Sequence, residues 1–400
     1  MTLTRRQFVE LAGLALIPVA PDDDVARRAA DVIRAYDAEG LHRTGTAVDR
    51  ASADRLSSLA RRAGGEARLE PFELSRVDPA AAFLEIDGRR VDGLPVFDGS
   101  FTGPDGVRGT LGTVGSDRPI AWLQVSPNAE AELRKARTAS PHRALVAVTT
   151  GPNPGLCPLN AASFTAPYGP PVLQISSEHL AFVGRAAASG AGSRVVAAVT
   201  RRAATAYNVV CDVRGTEPDL PPVCVMTPRS GWHYNASERG GGLVCWLETL
   251  RACAAARPRR SVKFVASSGH ELGHLGLHAY LTRSPSLARG AVAWVHYGAN
   301  IGASTGETRV TCSDDRLESA ALRTLRAYQL EGLPRLSAAQ VGGEAATISA
   351  EGGRFVSFIG GNAWFHNPRD RWPHAVTVEK IARFARAGAD LTLALANAES

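Results

Sequence analysis

The residues best suited to chemistry follow a short apolar run, Val262–Ala266, whose composition is typical of a strand. The run ends at Ser267–Gly269, and His270 and Glu271 come next, with His274 three residues further on. Two interpretations are open. On a single helix, the HExxH spacing would place two imidazoles on one face, where they could bind zinc. After a strand, the His–Glu pair would lie at the carboxyl end of that strand, where open α/β sheets bind their ligands.

The residues that follow favour the strand interpretation. Gly273 and Gly276 would each cost a helix interior about 1 kcal/mol relative to alanine. The extended form of the HExxH motif places its third ligand ten residues after the first histidine, whereas His278 lies eight residues after His270. We therefore expect His274 and His278 to be surface or packed histidines and the HExxH match to be accidental.

The rest of the chain divides into three regions by composition. Four hundred residues exceed what one hydrophobic core usually organises. Residues 22–81 are mainly helical in pattern, whereas 82–204 contain short strand-like runs between turns rich in Gly, Pro, Asp and Ser. In 205–400, strands alternate with helices. This pattern predicts an α/β domain with a mostly parallel mixed sheet flanked by helices, formed by 22–81 and 205–400, and a β-rich insert at 82–204.

Several element predictions bear on the site. The predicted strands and helices nearest to it are strands at 194–199, 209–213, 223–226, 262–266 and 291–297 and helices at 241–255 and 376–396. Two Gly- and Ser-rich stretches, 299–308 and 350–363, are expected to be loops that shape a cleft.

Charge and hydropathy exclude some classes of protein. The net charge of +6 comes from scattered arginines, so we expect no nucleic-acid surface.

Arg5-Arg6 followed by Phe8 and an apolar segment resembles a twin-arginine export signal at residues 1–21, although an amphipathic helix is the alternative. That segment is shorter than the roughly 20 residues that span a membrane, so no stable membrane insertion is expected. Six cysteines without a CxxC pair leave both disulfides and buried thiols open.

Several stretches carry a family resemblance. Phe264–Tyr280 resembles the strand-to-helix signature of the di-zinc aminopeptidase family, whose relatives include glutaminyl cyclases and the transferrin-receptor ectodomain. Phe365–Asp370 resembles its final ligand loop, and Asn208–Gly215 resembles the strand and turn that open its catalytic core. Residues 82–204 resemble an inserted protease-associated domain. The resemblance implies a zinc-exopeptidase-like fold and a peptide or small amide substrate.

The family's metal ligands are only partly present. Pro228 stands where the first ligand histidine is expected, and Glu238–Gly242 matches the Asp-Asn-x-Ser-Gly loop of the bridging aspartate. The strand that ends at Tyr297 lacks the family's carboxylate, for which His296 could substitute. We therefore expect the chain not to hold two co-catalytic metals.

The resemblance still implies one zinc ion. Glu238, Glu271 and His366 fall on the positions that glutaminyl cyclases use for a single zinc, and two carboxylates with one imidazole suit a hydrolytic zinc site. His270 takes the place of the family's general base, and imidazole can perform that role. Asp370 is expected to orient His366. A helix cap for Glu238 and ordinary packing for the histidines are the structural alternatives.

Two functions follow from this pattern. The preferred one is an exported hydrolase that acts on a peptide or amide bond with at most one zinc and with His270 as the base. The alternative is an inactive pseudo-peptidase that serves as a binding or structural protein. His42, His233 and His296 are additional candidates for a rearranged site.

Overall fold

The protein was analysed as a computed structural model that describes residues 22–127, 130–139 and 141–399. In chain order its helices and strands are α1 (Asp22–Glu39), α2 (Ala47–Arg62), β1 (Glu66–Ile86), β2 (Arg89–Pro95), β3 (Val107–Thr113), β4 (Ile120–Val125), α3 (Ala131–Ala139), β5 (Ala144–Thr149), β6 (Val172–Ser176), α4 (Leu180–Ser189), β7 (Gly192–Val213), β8 (Val223–Pro228), α5 (Gly240–Ala256), β9 (Val262–Ser267), α6 (Leu275–Arg283), α7 (Leu287–Gly290), β10 (Trp294–Tyr297), β11 (Thr308–Cys312), α8 (Asp315–Ala327), β12 (Arg335–Leu336), α9 (Glu344–Ala350), β13 (Phe355–Gly360) and α10 (Val378–Asn397).

A mixed sheet forms the core of the fold, in the order β7, β9, β8, β10, β13, β11 and β12. The four central strands, from β9 to β13, run parallel to one another, while β7 and β11 are antiparallel to their neighbours in that central group. This arrangement confirms the predicted α/β class with a mostly parallel mixed sheet flanked by helices. Parallel central strands bring their carboxyl ends to one edge, which is where a site is expected.

Both faces of the core sheet are covered by helices. Successive side chains of a strand point to opposite faces. Phe264 of β9 accordingly packs in the cluster formed by α1, α2, α5, α8 and α10, whereas its neighbour Val265 packs in the cluster formed by α6, α7 and α9. Val295 and Trp294 of β10 divide in the same way. Near-continuous apolar runs in the sequence therefore mark strands that are buried on both faces.

A long antiparallel ribbon connects the core with residues 82–204. Strands β1 and β7 pair along their whole length, from Glu66–Asp212 to Ile86–Ser193, with one register shift between Pro79 and Ala81. The prediction of two separate strands at 194–199 and 209–213 is wrong, because β7 is continuous. Beyond the ribbon, β3, β4, β5 and β6 are parallel, with α3 and α4 between strands. A separate protease-associated domain at 82–204 stays a prediction.

The predicted loop at 350–363 contains the central strand β13. Its residues Phe355, Val356 and Phe358 are buried, which is the composition of a strand covered on both faces. The glycines on either side of this apolar run conceal it in the sequence. Gly360 is required by packing, since a side chain there would meet the backbone oxygen of Asn300. A strand of the sheet therefore lies where the sequence predicts a loop.

Three other expectations concern export, membranes and cysteines. Residues 1–21, where the export signal is predicted, lie outside the described residues. Within residues 22–127, 130–139 and 141–399, no helix is long and apolar enough to cross a membrane. All six cysteines are free thiols, which decides between the two alternatives that the sequence left open.

Close packing of α10 on the sheet gives a first test of the fold. A side chain at Gly388 would collide with the hydroxyl of Tyr297, which is bonded to the Thr249 hydroxyl at 2.7 Å. We expect Gly388→Ala to lower the free energy of unfolding by about 1–3 kcal/mol, as overpacking does. At Gly290 no atom lies within 4 Å of an added side chain, so Gly290→Ala should change stability by less than about 1 kcal/mol. Equal urea midpoints for the two variants would contradict this packing.

Candidate active site

The turn after β9 positions the residues with which the sequence argument began. His270–Leu272 is a short 3-10 turn, and the residues on both sides of it, Gly269 and Gly273, have φ values of 81° and 75°. His274 also lies in the left-handed region, with φ of 60°. The HExxH residues therefore do not form one helix, as the glycine pattern predicted. The pair His270–Glu271 lies at the carboxyl end of a central strand.

Glu271 binds two neighbouring segments through hydrogen bonds. Its Oε1 accepts from the Thr44 amide at 2.8 Å and from the Thr44 hydroxyl at 2.7 Å. Its Oε2 accepts from the Ser230 hydroxyl at 2.7 Å. The residue is buried, and these three bonds replace the water that the carboxylate loses on folding. Glu271 thus joins the turn before α2 to the end of β8.

Glu238 and His366 do come together, and Arg239 lies with them. Glu238 is completely buried at the start of α5, and its Oε1 lies 3.4 Å from Nε2 of His366 and 2.8 Å from Nη2 of Arg239. Arg239 also donates through Nε to the Ser230 carbonyl oxygen at 2.7 Å. Burial would raise the pKa of Glu238, but the guanidinium and His366 outweigh it and lower the pKa to about 2. The carboxylate is therefore ionised and balanced by a cation of the chain itself.

Asp370 does not orient His366, which corrects the sequence prediction. Its two carboxylate oxygens accept from the backbone amides of Ser237 and Glu238, each at 2.9 Å. Nδ1 of His366 is instead 2.5 Å from the carbonyl oxygen of Pro158, which belongs to the insert. The aspartate fixes the backbone that carries Glu238, because unpaired amides at a helix start need acceptors. Burial raises the pKa of Asp370 to about 7, although the two amides act in the opposite direction.

His270 faces a cavity of about 480 Å³ between the core and the insert. Glu130, Arg134 and Asn160 of the insert line its other wall. Nδ1 of His270 is 3.7 Å from Oε1 of Glu344, a buried carboxylate that the sequence argument did not identify. Burial, together with the charge of nearby Arg239, holds the pKa of His270 well below its usual value, so this imidazole is neutral near pH 7.

Of the three additional histidines, His42 and His296 are buried in packing contacts and His233 is half-buried. His42 stacks on Tyr36 with ring centroids 3.7 Å apart, and burial lowers its pKa to about 3. His296 is bonded to the Ser357 hydroxyl at 2.8 Å and has a pKa lowered by burial to about 3. His233 lies near His366, and burial lowers its pKa to about 4.

The predicted zinc ligands do not form one set. Within residues 22–127, 130–139 and 141–399, no three His, Cys, Asp or Glu side chains are placed to hold a metal ion. Glu271 is engaged by Thr44 and Ser230, and Glu238 is paired with a guanidinium. A divalent ion about 4 Å from a guanidinium is repelled by about 8 kcal/mol at an effective dielectric constant of about 20. The residues present therefore do not fit a zinc ion in this arrangement.

Comparison with known proteins places this fold in a class. No protein-family model matches the chain, and no curated protein matches its sequence. Solved structures do match, and they define the chain as having the fold of zinc aminopeptidases and glutaminyl cyclases.

Three of these structures illustrate the likeness. The structure of a peptidase M28 precursor from Shewanella amazonensis has a TM-score of 0.76 at 16% identity and covers 95% of this chain and 96% of its own. The structure of the zinc aminopeptidase of Bacillus subtilis has a TM-score of 0.75 at 18% identity and covers 94% of this chain and 95% of its own. The glutaminyl cyclase of Porphyromonas gingivalis has a TM-score of 0.51 at 12% identity, covering 92% and 96%. The resemblance drawn from the sequence is confirmed for the fold.

The ion pair between Glu238 and Arg239 can be tested by its effect on stability. Removing one partner of a buried pair leaves an uncompensated charge, so we expect Arg239→Met to lower the free energy of unfolding by about 3–5 kcal/mol. The matched control is Arg27→Met, where the arginine is largely exposed in an ion pair with Asp24 and should contribute less than about 1 kcal/mol. Urea unfolding measures both. Similar losses in the two variants would contradict a structural role for Arg239.

The buried histidines predict acid sensitivity. Burial lowers the pKa of His42 and His296 to about 3 and the pKa of His233 and His274 to about 4, whereas an unfolded histidine has a pKa of about 6.5. Between pH 7 and 4 the unfolded state therefore binds protons that the folded state does not, and stability falls as the pH falls. Each histidine contributes up to about 1.4 kcal/mol per pH unit.

Carboxyl groups with raised pKa, such as Asp370, act in the opposite direction and offset part of this loss. The histidine contribution is isolated by comparing the pH dependence of urea unfolding between pH 7 and 5 for the wild type and His42→Gln. The free energy of unfolding should change less steeply with pH in the variant, by the contribution of one histidine. An unchanged slope would mean that His42 takes up its proton while the protein stays folded.

Proposed function

We propose that this protein is a pseudo-peptidase, a binding or structural protein that keeps the aminopeptidase fold and does not hydrolyse peptide bonds through zinc. The observation that carries the proposal is the buried pair of Glu238 and Arg239, 2.8 Å apart. In a zinc site the metal supplies the positive charge that a buried carboxylate requires. Here the next residue in the chain supplies it.

A second buried arginine supports the same proposal. Arg229 directly follows Pro228, the position where the resembling family has a ligand histidine, and it is fully buried. Its Nη1 is 2.8 Å from Oδ1 of Asp49 and donates to the Asp49 carbonyl oxygen at 2.9 Å. The end of β8 thus carries a guanidinium paired within the chain. Together with Arg239 beside Glu238, it gives this edge of the sheet two arginine–carboxylate pairs that need no metal for charge balance.

The engagement of Glu271 is the third support. Its three hydrogen bonds direct the carboxylate towards Thr44 and Ser230, and a zinc ion would have to compete with them for its lone pairs. Structural zinc contributes about 10–16 kcal/mol in favourable sites. Repulsion of about 8 kcal/mol by Arg239 offsets at least about half of that gain, which favours the metal-free arrangement.

The second candidate function is the single-zinc hydrolase. It is favoured by one observation, the approach of Glu238 Oε1 to His366 Nε2 at 3.4 Å, in which neither atom makes a hydrogen bond among the described residues. The Bacillus subtilis and Shewanella amazonensis proteins are a zinc aminopeptidase and a peptidase by name, which supports a peptide or amide substrate and zinc. His270 would be the base. This candidate requires Arg239 to leave Glu238.

Export accompanies either candidate. Arg5-Arg6 and the apolar segment up to Ala20 support a twin-arginine-type signal and a periplasmic or extracellular location. No nucleic-acid partner is proposed, because the basic residues are scattered.

Zinc retention distinguishes the two candidates. After incubation with excess zinc and desalting at neutral pH, we expect the wild type to hold less than about half an equivalent by elemental analysis. It should also release no p-nitroaniline from aminoacyl p-nitroanilides. Arg239→Asn places the family's residue at this position and should raise zinc retention, because the competing guanidinium is gone.

The control for that experiment is Arg27→Asn, which changes an exposed arginine and should leave zinc retention at the wild-type level. A full equivalent of zinc in the wild type, lost in Glu238→Gln and accompanied by hydrolysis, would establish the single-zinc hydrolase and overturn the pseudo-peptidase.

A further inference from the structure

A long irregular segment of the insert lies over the candidate site. Residues 150–171 connect β5 to β6 without forming a helix or strand. Within it, residues 153–162, which we call the lid segment, contact both the loop of His366 and the turn of Glu271. Loops of this length without internal secondary structure are usually functional when they are ordered.

On one side the lid segment is bound to the loop that carries His366. The side chain of Asn153 donates to the Ala363 carbonyl oxygen at 2.9 Å, and the Asn367 side chain donates to the Pro154 carbonyl oxygen at 3.0 Å. The Pro158 carbonyl oxygen lies 2.5 Å from Nδ1 of His366. This ring therefore touches the insert through one nitrogen and faces Glu238 through the other.

On the other side the lid segment is bound to the turn after β9. The amide of Ala161 donates to the carbonyl oxygen of Glu271 at 2.8 Å. The indole of Trp232 donates to Oδ1 of Asn160 at 3.1 Å. The carbonyl oxygen of Ala162 lies so close to Gly273 that a side chain at position 273 would collide with it. His366, Glu271 and Trp232 are all buried in this closed arrangement.

The lid segment is also fixed to the insert itself. The amide of Cys157 donates to the Thr149 hydroxyl at 3.0 Å, and the amide of Leu159 donates to the Gln174 side chain at 2.7 Å. Thr149 and Gln174 are fully buried in β5 and β6. Hydrogen bonds to fully buried strand residues fix the lid segment within the insert. The lid segment meets the core through single hydrogen bonds at separate points. A movement that separates the insert from the core would therefore carry the lid segment with the insert.

Two features of the fold permit such a movement. Cavities of about 480 and 310 Å³ lie beside the lid segment, and Asn160 and Ala162 line both, so displacing these residues would join the two spaces. The β1–β7 ribbon, which connects the insert to the core, has its one register shift between Pro79 and Ala81. An irregularity of this kind bends a ribbon and interrupts its hydrogen bonding.

We propose that residues 153–162 are a lid that the insert holds closed over Glu238 and His366, and that the insert must lift this lid from the core before any ligand reaches them. In the closed state the Pro158 carbonyl oxygen occupies the partner position at His366 Nδ1. Opening the lid frees that nitrogen and exposes the turn of Glu271. The inference concerns access to the site and holds whether or not the site binds a metal.

Cys157 provides the measurement, because this lid thiol is free and 1% exposed. Cys245, on α5 in the core, is fully buried, so its labelling reports global unfolding. Cys312 is half-buried, so its labelling reports the reaction of a thiol that needs no opening of the structure. The protein is treated with N-ethylmaleimide under native conditions, and each site is quantified by peptide mass spectrometry. If the lid opens locally, Cys157 should be labelled at least about tenfold faster than Cys245.

Variants then test the contacts named above. Asn153→Ala and Asn160→Ala each remove a lid-to-core hydrogen bond that is absent once the lid is open, so each should accelerate labelling of Cys157 roughly two- to tenfold. Gly388→Ala, which destabilises the core and leaves the lid contacts intact, should accelerate labelling of Cys245 and leave that of Cys157 unchanged. The matched control is Ser116→Ala, which removes a hydrogen bond from an exposed turn of the insert, to the Thr113 carbonyl oxygen, and should leave both rates unchanged.

Equal labelling rates for Cys157 and Cys245 in the wild type would overturn the proposal, because the segment would then separate from the core only when the whole protein unfolds. Parallel acceleration of both sites by Gly388→Ala would also overturn it, because Cys157 would then be labelled only through unfolding of the core. Neither outcome depends on zinc or hydrolysis, so the lid and the pseudo-peptidase proposal can fail separately.

Discussion

A buried carboxylate requires a compensating positive charge, and Glu238 imposes this constraint on the site. An isolated ionised carboxylate in a protein interior is too costly to persist, so it is either protonated or paired. Glu238 is completely buried, yet its pKa is lowered to about 2, which means that its partners outweigh burial. Arg239 and His366 are those partners, and Asp370 fixes the backbone amide of Glu238. The site is therefore electrostatically balanced by its own residues.

The same balance recurs where the chain departs from the aminopeptidase pattern. At the end of β8, Arg229 is paired with Asp49, and Ser230 binds Glu271 through its hydroxyl and Arg239 through its carbonyl oxygen. Glu271, Arg229 and Arg239 thus each have partners within the chain. Compensation at several points is easier to explain by a site that functions without the metal than by the chance loss of a single ligand.

The sequence predicted the scaffold well, because burial leaves a periodic signal. The apolar strand at 262–266, the turn that follows it and the last helix are formed as predicted, since their side chains repeat with the period of the element. Strand β13 was missed, because glycines that pack against a neighbouring backbone look like loop residues. The continuous β7 was missed as well, since the exposed middle of a ribbon lacks the apolar residues that reveal a strand.

The site was predicted less completely, for a different reason. Residue types identified which side chains can bind a metal, but the direction of a side chain depends on tertiary contacts. Glu271 is directed to Thr44, and Asp370 to backbone amides. Arg239 is not a metal ligand type, but an arginine directly after a candidate ligand is a sequence signal for a charge pair. A cation fixed next to a carboxylate competes with any metal for the same charge.

The insert adds a constraint that no pattern within the core reveals. His366 is bonded to the Pro158 carbonyl oxygen, and Glu271 accepts a bond through its own carbonyl oxygen from Ala161, so the two predicted ligands that lie far apart in sequence are both bonded to one segment of the insert. On the insert side both contacts use backbone atoms of Pro158 and Ala161, so the insert's composition does not reveal them. The geometry around the buried carboxylate is consequently determined by two parts of the chain together, and the charge balance of Glu238 is preserved only while the core and the insert keep His366 between them.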